Sequence, residues 1–411
     1  MTRTDRQPDA AGRRPLDGVT VLDLSRVFAG PYCTMLLADM GARVIKIEQP
    51  GTGDDTRAWG PPFVAGESAY FLSLNRNKES VALDFKHPEG RRLLDRLIAR
   101  ADVLVENFRP GTLDRLGLGY ADLQTRLPRL VYCSISGFGQ TGPKRERPGY
   151  DAVIQAEGGL MSITGPEGGR PYRLGVAISD LVTGMFAAQG ILLALIARAT
   201  TGRGQMIDIA MLDSTAAVLT YQASIHLMTG QVPRRLGNRH PTIAPYETFE
   251  TTDGELVLSV GNDAIWRRFC AAAGLDALAD DPRFATNGAR VDHYAQLRPI
   301  LVDLFRTNTR THWIARLDAA AVPCGAVKDI REVLADEQIL ARGMVETLPH
   351  PALGSVRLLG QPIKLSDTPG GARTAPPLRG EHTARVLEQD LGVDAATIDR
   401  LCADGVIERR G

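Results

Sequence analysis

The chain has 411 residues, of which 44% are apolar and 23% are charged, a composition typical of a soluble globular protein. This length exceeds what one hydrophobic core usually covers, so two domains are expected. Lysine plus arginine and aspartate plus glutamate both number 48. That balance lacks the basic excess that favours nucleic-acid or membrane-surface partners, so neither kind of partner is expected.

Cysteine and histidine spacing indicates no metal site and no disulfide framework. The five cysteines are widely spread, and the seven histidines show no H-E-x-x-H spacing. No apolar run extends over the roughly 20 residues of a membrane span. Residues 1–14 are polar and include Asp5 and Asp9, which is unlike a secretory signal. We therefore predict a cytoplasmic protein with a loose N-terminal tail.

The first recognisable unit is a strand at 19–24, a helix at 31–40 and a second strand at 43–48. Strand, helix and strand within about thirty residues indicate a right-handed βαβ unit of a parallel sheet. The turn at 25–31 lacks the G-x-G-x-x-G pattern that brings backbone close to a pyrophosphate. Nicotinamide and flavin cofactors are therefore not expected.

Alternating strands and helices continue after a long segment at 49–78, which is rich in Gly, Pro and Arg and is expected to be irregular. Strands are predicted at 80–84, 103–106 and 130–134, with helices at 88–100 and 121–127. Basic residues recur in or near the loops that follow successive strands: Arg26, Lys86, Arg109, Arg115 and Arg147. Because such loops converge at one edge of a parallel sheet, the recurrence indicates a ligand that bears several phosphates.

The segment at 175–204 places one carboxylate, Asp180, where a loop enters a long apolar helix at 181–198. A helix that is apolar on nearly every face is expected to be buried. Its N-terminus favours an anion, so Asp180 could act as a nucleophile whose oxyanion finds donors nearby. The alternative is that Asp180 only caps the helix, with Ser179 as the competing cap. The residues alone leave both interpretations open.

Beyond this segment, a strand at 206–209 and a helix at 212–228 precede a loop at 237–246. Strands at 246–250, 255–260 and 325–328, with helices at 264–273, 296–306 and 311–319, predict a smaller α+β domain. A strand at 356–365 and a helix at 380–391 follow. We predict a large α/β domain at 12–230, a small domain at 235–335, and a C-terminal return to the large domain at 350–411.

In its motifs the chain resembles the class III CoA-transferases, the formyl-CoA transferase and carnitine CoA-transferase family. The matching segments lie at 16–24, 29–31, 41–48, 105–108, 137–143, 147–151, 179–180 and 201–205. Residues 53–63 and 74–78 most resemble the branch that moves CoA between succinate and glutarate-type dicarboxylates. The resemblance implies an α/β fold in which an open parallel Rossmann-like sheet is built from both chain ends. It also implies an inserted small domain, an interlocked homodimer, and active sites at the junction of the domains.

The resemblance also assigns residues. Asp180 matches the catalytic nucleophile. The segments that contact CoA fall at Arg26, Val27, Phe28, Ala29, Leu83, Asp84, Phe85, Lys86, Asn107, Phe108, Arg109, Arg115 and Arg147. Formyl-CoA transferase has a basic residue where this chain has Gln49, so that phosphate contact is either missing or supplied by Arg57 or Lys46. Candidates for the remaining part of the substrate site are Arg57, Trp59, Arg76, Tyr150, Arg239 and His240.

The implied reaction moves CoA from an acyl-CoA, succinyl-CoA in particular, to a carboxylic acid such as glutarate, with no metal. It proceeds through an aspartyl anhydride and an aspartyl–CoA thioester. The family's racemases need a histidine where this chain has Tyr150, which disfavours 2-methylacyl-CoA racemisation. The absence of a tetraglycine loop disfavours a formyl-CoA:oxalate-type reaction and leaves closure of the site to the loop at 238–245. A thioesterase and a non-catalytic CoA-binding protein are the remaining alternatives.

Overall fold

The computed structural model describes residues 13–410, so most of the predicted N-terminal tail lies outside the described residues. The chain divides into two compact units. In the described part, the first comprises residues 13–159, Gly175–Thr220 and 337–410, and the second comprises Leu160–Leu174 and Tyr221–Asp336. The second unit therefore contains a segment, 160–174, that the sequence pattern assigns to the large domain.

The strands are β1 Thr20–Asp23, β2 Arg43–Glu48, β3 Phe63–Val64, β4 Glu67–Ser68, β5 Lys78–Leu83, β6 Val103–Glu106, β7 Val131–Ser136, β8 Met206–Ala210, β9 Tyr246–Thr251, β10 Gly254–Ser259, β11 Cys324–Ala326, β12 Val345–His350, β13 Gly354–Leu359 and β14 Ile407–Glu408.

The α-helices are α1 Ala29–Asp39, α2 Ala69–Leu72, α3 Pro88–Ile98, α4 Tyr120–Arg126, α5 Asp151–Glu157, α6 Leu160–Ile163, α7 Ile178–Thr201, α8 Met211–Ala217, α9 Thr220–Thr229, α10 Asp263–Ala273, α11 Asp276–Ala279, α12 Asn287–Asp292, α13 Tyr294–Phe305, α14 Arg310–Ala319, α15 Ile330–Leu334, α16 Glu337–Ala341, α17 Thr383–Leu391 and α18 Ala395–Ala403. Two 3₁₀ helices span Asp55–Ala58 and Asp114–Leu116.

A seven-stranded sheet forms the centre of the first unit, in the order β14-β5-β2-β1-β6-β7-β8. Its pairings are parallel, except that β14 runs antiparallel to β5. Alternate residues of each strand point to opposite faces. Leu22 accordingly packs in a core with α3, α17 and α18, whereas Val21 packs in a second core with α1 and α7. The predicted α/β fold with a mostly parallel sheet is confirmed.

The strand order places a switch point at β1. From β1 the chain moves to β2 and β5 on one side, and then to β6, β7 and β8 on the other. The loops that leave β1 and β6 therefore begin side by side at the carboxyl edge of adjacent strands, which is where open α/β sheets bind ligands.

Helix α7 packs closely on α1 because Gly184 lacks a side chain. A Cβ at this position would lie 2.7 Å from the Ala29 carbonyl oxygen. Helix α7 is buried along one face, which includes Thr183, Ala187 and Ile191. The prediction that the whole helix is buried is wrong in this chain, since Met185, Leu193 and Ile196 on the other face are 49%, 59% and 67% exposed. By length and composition α7 could cross a membrane, but core helices of soluble proteins meet the same criterion.

Two other sequence predictions need correction. The helix expected at 212–228 is two helices, α8 and α9, because Thr220 has a left-handed φ of 41° that interrupts the helical backbone. The segment at 49–78, expected to be irregular, contains a 3₁₀ helix, the β3–β4 hairpin and α2.

The second unit has its own small core. Strands β11, β10 and β9 form an antiparallel sheet, and α10, α13 and α14 supply aromatic residues that pack with it. Trp266, Phe269, Phe305 and Trp313 are buried in this cluster. The unit is therefore α+β in content.

Candidate active site

Asp180 lies in the first turn of α7 but does not cap it. The N-cap residue is Ala177, which makes no side-chain capping bond. Instead, Asp151 at the start of α5 accepts a hydrogen bond from the Ser179 amide at 2.9 Å. Ser179 lies inside the helix, where its hydroxyl accepts from Thr215 at 2.9 Å. The capping interpretation of Asp180, and of Ser179 as its competitor, is therefore wrong.

The surroundings of Asp180 favour its neutral form. Burial and the nearby Asp151 charge raise the pKa of Asp180 to about 7, although a hydrogen bond from the Ala29 amide opposes them. Burial, followed by the charges of Asp180 and Asp151, also raises the pKa of Tyr70 to about 12. A carboxylate with a pKa of about 7 is more basic than an ordinary aspartate, yet about half of it is ionised at pH 7.

Asp180 opens into a cleft of about 180 Å³. The cleft is lined by the turn after β1, the loop after β6, the end of β7, the segment before α5, and α8: Arg26–Ala29, Asn107–Pro110, Ile135–Gly137, Arg147–Tyr150, Asp180 and Met211. Arg109 is exposed and has no ion-pair partner among the described residues. Arg147 is paired with Glu157, and its guanidinium lies 5.0 Å from the centre of the Phe138 ring.

A second cleft of about 260 Å³ follows the same edge of the sheet. Arg26 and Phe108 line both clefts, and Phe85 and Lys86 line the second. The Phe85 and Phe108 rings meet edge to face with their centres 6.4 Å apart. The two clefts thus share a border that carries one cation and one aromatic ring.

Reciprocal hydrogen bonds join the two loops at the switch point. The Arg26 amide donates to Asn107 Oδ1 at 2.9 Å, and Asn107 Nδ2 donates to the Arg26 carbonyl oxygen at 2.7 Å. Both loops are therefore held in register at the mouth of the cleft that contains Asp180.

Comparison with known proteins identifies the family. Residues 16–383 match the family model described as CoA-transferase family III. The chain belongs to CoA-transferase family III. It is 43% identical to succinyl-CoA:glutarate CoA-transferase of Mus musculus over 98% of this chain and 92% of that protein. It is 46% identical to succinate–glutarate CoA-transferase of Agrobacterium fabrum over 91% of this chain and 95% of that one.

Other relatives of this CoA-transferase differ in their acids. Acetyl-CoA:oxalate CoA-transferase of Acetobacter aceti is 42% identical over 91% of this chain and 96% of its own length. Among solved structures, a CAIB/BAIF family protein from Brucella suis is 43% identical and superposes with a TM-score of 0.82. That comparison covers 92% of this chain and 100% of the solved chain.

The structure brings together most, but not all, of the CoA contacts expected for this CoA-transferase. The residues of the β1 and β6 loops line the clefts, together with Phe85, Lys86 and Arg147. Leu83 is fully buried in the hydrophobic core, so its side chain is not at the cleft surface. The Asp84 carboxylate accepts from the Lys86 amide at 3.0 Å. Arg115 lies outside both clefts.

Two predicted substrate arginines and the predicted phosphate contact are buried in ion pairs. Arg57 binds Glu48 through two nitrogens at 2.7 Å and stacks on the Phe71 ring at 3.6 Å. Arg76 binds Asp39, with Nε 2.9 Å from Oδ1. Lys46 Nζ lies 2.8 Å from Asp54 Oδ2, with both side chains almost fully buried. The suggestion that Arg57 or Lys46 replaces a missing phosphate contact is therefore disfavoured, because both cations are already paired with carboxylates, although Lys46 lines the second cleft.

The remaining predicted residues occupy different places. Trp59 is 38% exposed and contacts the Tyr70 ring edge, with the ring centres 5.0 Å apart. Tyr150 lines the Asp180 cleft. Arg239 and His240 line a cavity of about 780 Å³ in the second unit. There, the Arg239 guanidinium lies 5.6 Å from the Tyr294 ring centre, and His240 stacks between Tyr221 and Tyr246.

Three residues at or near the site are not predicted as site residues from the sequence: Asp151, Tyr70 and Asp54. Asp151 is part of a matched motif, but nothing in its spacing indicates that it caps α7. Tyr70 and Asp54 lie in the segment expected to be irregular, where a contact with another loop has no periodic signal. Within residues 13–410, no group of three or more His, Cys, Asp or Glu side chains is placed to hold a metal ion.

Proposed function

We propose that this CoA-transferase moves CoA from succinyl-CoA to a dicarboxylate such as glutarate, with Asp180 as the residue that carries the acyl group and then the CoA. The observation that carries the proposal is the Asp180 carboxylate in a cleft built by the β1 and β6 loops, with a pKa of about 7. The activities named for the mouse and Agrobacterium relatives support the choice of substrates.

The reaction needs no net proton transfer. The ionised Asp180 attacks the thioester carbonyl and forms an oxygen–carbon bond, the carbon–sulfur bond breaks, and CoA leaves as a thiolate, so that a mixed anhydride of Asp180 and the acyl group remains. The thiolate then attacks the aspartyl carbonyl and releases the free acid, which leaves an aspartyl–CoA thioester. The acceptor carboxylate repeats these two steps in the reverse order. The Ala29 amide is suited to stabilise the oxyanion on the aspartyl carbon.

CoA binding is assigned to the border of the two clefts. Arg26, Lys86 and Arg109 supply cations for phosphates, and the Phe85 and Phe108 rings offer apolar surface to the adenine. Their places at the carboxyl edge of the sheet follow the general location of ligands in open α/β folds.

For the second carboxylate of the acceptor, we favour Arg239 and His240 over Arg57 and Arg76. The guanidinium groups of Arg57 and Arg76 are already paired with buried carboxylates. Arg239 instead faces a cavity, and its partner Glu167 is half exposed. His240 Nδ1 accepts from the Thr242 amide at 3.2 Å, which leaves Nε2 free to donate.

The proposal includes an interlocked homodimer in the cytoplasm. The exposed apolar side chains of α7 support the dimer, because a patch of this kind is typical of a protein interface. Oxalate is the second candidate acceptor, since the Acetobacter aceti relative bears that activity in its name.

The test is an acceptor panel assayed with succinyl-CoA: glutarate, malate, citramalate, mesaconate, itaconate and oxalate, each as competitor and as acceptor. Glutarate is expected to give the highest kcat/KM. Hydroxylamine added after succinyl-CoA should mark Asp180, and the Asp180→Asn variant should lose both the mark and the activity. A preference for oxalate would overturn the acceptor assignment, and full activity of Asp180→Asn would overturn the mechanism. Free thiol released without any acceptor would indicate a thioesterase instead.

A further inference from the structure

The turn between β1 and α1 contains a residue in a disfavoured backbone conformation. Val27 has a φ of 71°, in the left-handed region that β-branched residues rarely adopt. Two residues later, Ala29 lines the same cleft as Asp180, and its backbone amide lowers the pKa of the Asp180 carboxyl group. Backbone strain of this kind persists only where the surrounding structure holds it, and it is concentrated at functional sites.

Side chains from two other loops hold this turn. The Val27 amide donates to the Asp54 carboxylate, 3.2 Å from Oδ1 and 3.3 Å from Oδ2. The preceding amide, that of Arg26, donates to Asn107. Two consecutive peptide groups of the turn are thus each bound by a side chain from a separate segment.

Asp54 is itself fixed in place. Its Oδ1 accepts from the Thr56 amide at 2.9 Å and the Thr56 hydroxyl at 2.7 Å, and its Oδ2 lies 2.8 Å from Lys46 Nζ. The same Lys46 ammonium donates to the Ser25 carbonyl oxygen at 2.8 Å. The buried Lys46–Asp54 pair therefore contacts the backbone on both sides of Arg26. Asp54 lies outside the lining of the Asp180 cleft, but it lines the second cleft together with Lys46.

We propose that Asp54, supported by Lys46, is a positioning residue for the transfer reaction: it holds the Val27 turn in its left-handed conformation, so that the Ala29 amide stays directed at the Asp180 carboxyl group. This inference rests on the proposed function, because it takes Asp180 as the acylated residue. The amide stabilises the carboxylate before it attacks, and it also stabilises the oxyanion that forms when the thiolate attacks the aspartyl carbonyl.

The competing interpretation is that Asp54 only stabilises the fold through its ion pair. The two interpretations differ in what Val27 does. If Asp54 acts by restraining a strained turn, a residue that adopts a positive φ at no cost should reduce the need for Asp54. Glycine is such a residue. If Asp54 only stabilises the fold, glycine at position 27 should not restore catalysis.

The test compares the parent, Asp54→Asn, Val27→Gly and the double variant, with kcat and KM measured for both substrates. Asparagine has the size of aspartate, but its amide nitrogen cannot accept, so some donors around it lose their partner. We expect kcat of Asp54→Asn to fall by about 100-fold, the effect of a misplacement near 1 Å. The double variant should regain about tenfold, because the strain of a left-handed residue is removed.

A pH–rate profile separates positioning from folding. Weakening the Ala29 hydrogen bond should move the acidic midpoint of kcat upward in Asp54→Asn, and the double variant should return it towards the parent. The charged or titratable groups that face Asp180 or line its cleft are unchanged in all variants: Asp151, Tyr70, Arg26, Arg109, Arg147 and Tyr150. Asp390→Asn, which breaks an ion pair with Arg43 at 2.7 Å, is the matched control and should leave the profile in place.

Thermal unfolding is measured on every variant. Should Asp54→Asn fail to fold, Thr56→Val replaces it in the comparison, because this variant removes one hydrogen bond to Asp54. Thr56→Val is then measured alone and in combination with Val27→Gly. No recovery of kcat with glycine, or an unmoved midpoint, would overturn the positioning role. Failure of the proposed function is distinguishable, because it shows in the parent enzyme as hydroxylamine labelling away from Asp180.

Discussion

Replacing Asp180 with asparagine is expected to stabilise the free protein at alkaline pH while it removes transferase activity. Folding raises the pKa of Asp180 from 3.8 to about 7, mainly through burial. A carboxyl group of this kind favours the folded state when it is protonated. Its contribution to stability is present in full below pH 3.8 and is lost as the pH rises through about 7. Asparagine does not ionise, so the variant avoids this loss.

The size of the effect follows from the same numbers. One pKa unit corresponds to 1.36 kcal/mol, so the rise from 3.8 to about 7 amounts to about 4 kcal/mol as an upper limit. Asp180 is partly exposed to solvent, which reduces the cost of charging it. We therefore expect the variant to exceed the parent by about 2–4 kcal/mol in free energy of unfolding at pH 8.

The assay is urea unfolding of both proteins without substrate at pH 5, 6, 7 and 8. The difference between variant and parent should widen steadily from pH 5 towards pH 7, where the folded carboxyl group is protonated and the unfolded one is not, and it should level off above pH 7. Asp213→Asn, at an exposed position of α8, controls for the exchange of aspartate for asparagine. A difference that is equal at pH 5 and pH 8 would refute the reasoning, because it would mean that folding does not raise the Asp180 pKa.

Three further predictions concern the packing, the charge and the cations of the site. Gly184→Ala places a Cβ 2.7 Å from the Ala29 carbonyl oxygen, so α1 and α7 must separate and kcat should fall by about 100-fold. The control is Gly175→Ala, whose Cβ meets no atom within 4 Å and which should be active. Asp151→Asn removes the charge that raises the Asp180 pKa, so the acidic midpoint of the pH–rate profile should fall by about 1 pH unit. Arg109→Met should raise KM for acyl-CoA about tenfold and flatten its dependence on salt, as measured from 50 to 300 mM NaCl.

The sheet and the position of the clefts are predictable because they follow from local pattern and from a general rule. Buried strands and amphipathic helices have periodic signals, and the carboxyl ends of parallel strands meet at one edge. For this reason the order of strands along the chain is enough to group Arg26, Asn107 and Lys86. The motifs shared with the family add Asp180, which periodicity cannot distinguish from a helix cap.

The errors have a common physical cause. Arg57 and Arg76 look like free cations in the sequence, but their partners Glu48 and Asp39 are 9 and 37 residues away. Ion pairs at that separation are decided by how the loops fold back on the sheet, which carries no periodic signal. The exposure of α7 escapes prediction for a related reason: apolar composition indicates that a helix favours burial, but it does not say which of its faces pack within the same chain.

The contrast between Asp151 and Asp180 explains why a nucleophile at a helix N-terminus should not be its cap. A capping carboxylate accepts amide hydrogen bonds from the first turn, and these stabilise its charge and lower its basicity. Asp151 takes that place by accepting from the Ser179 amide. Asp180 is thereby left with a backbone donor from another helix, Ala29 of α1, and with a pKa of about 7. Because nucleophilic strength rises with basicity, the capping residue and the attacking residue have to be separate side chains, and a single aspartate at this position would lose reactivity by filling both roles.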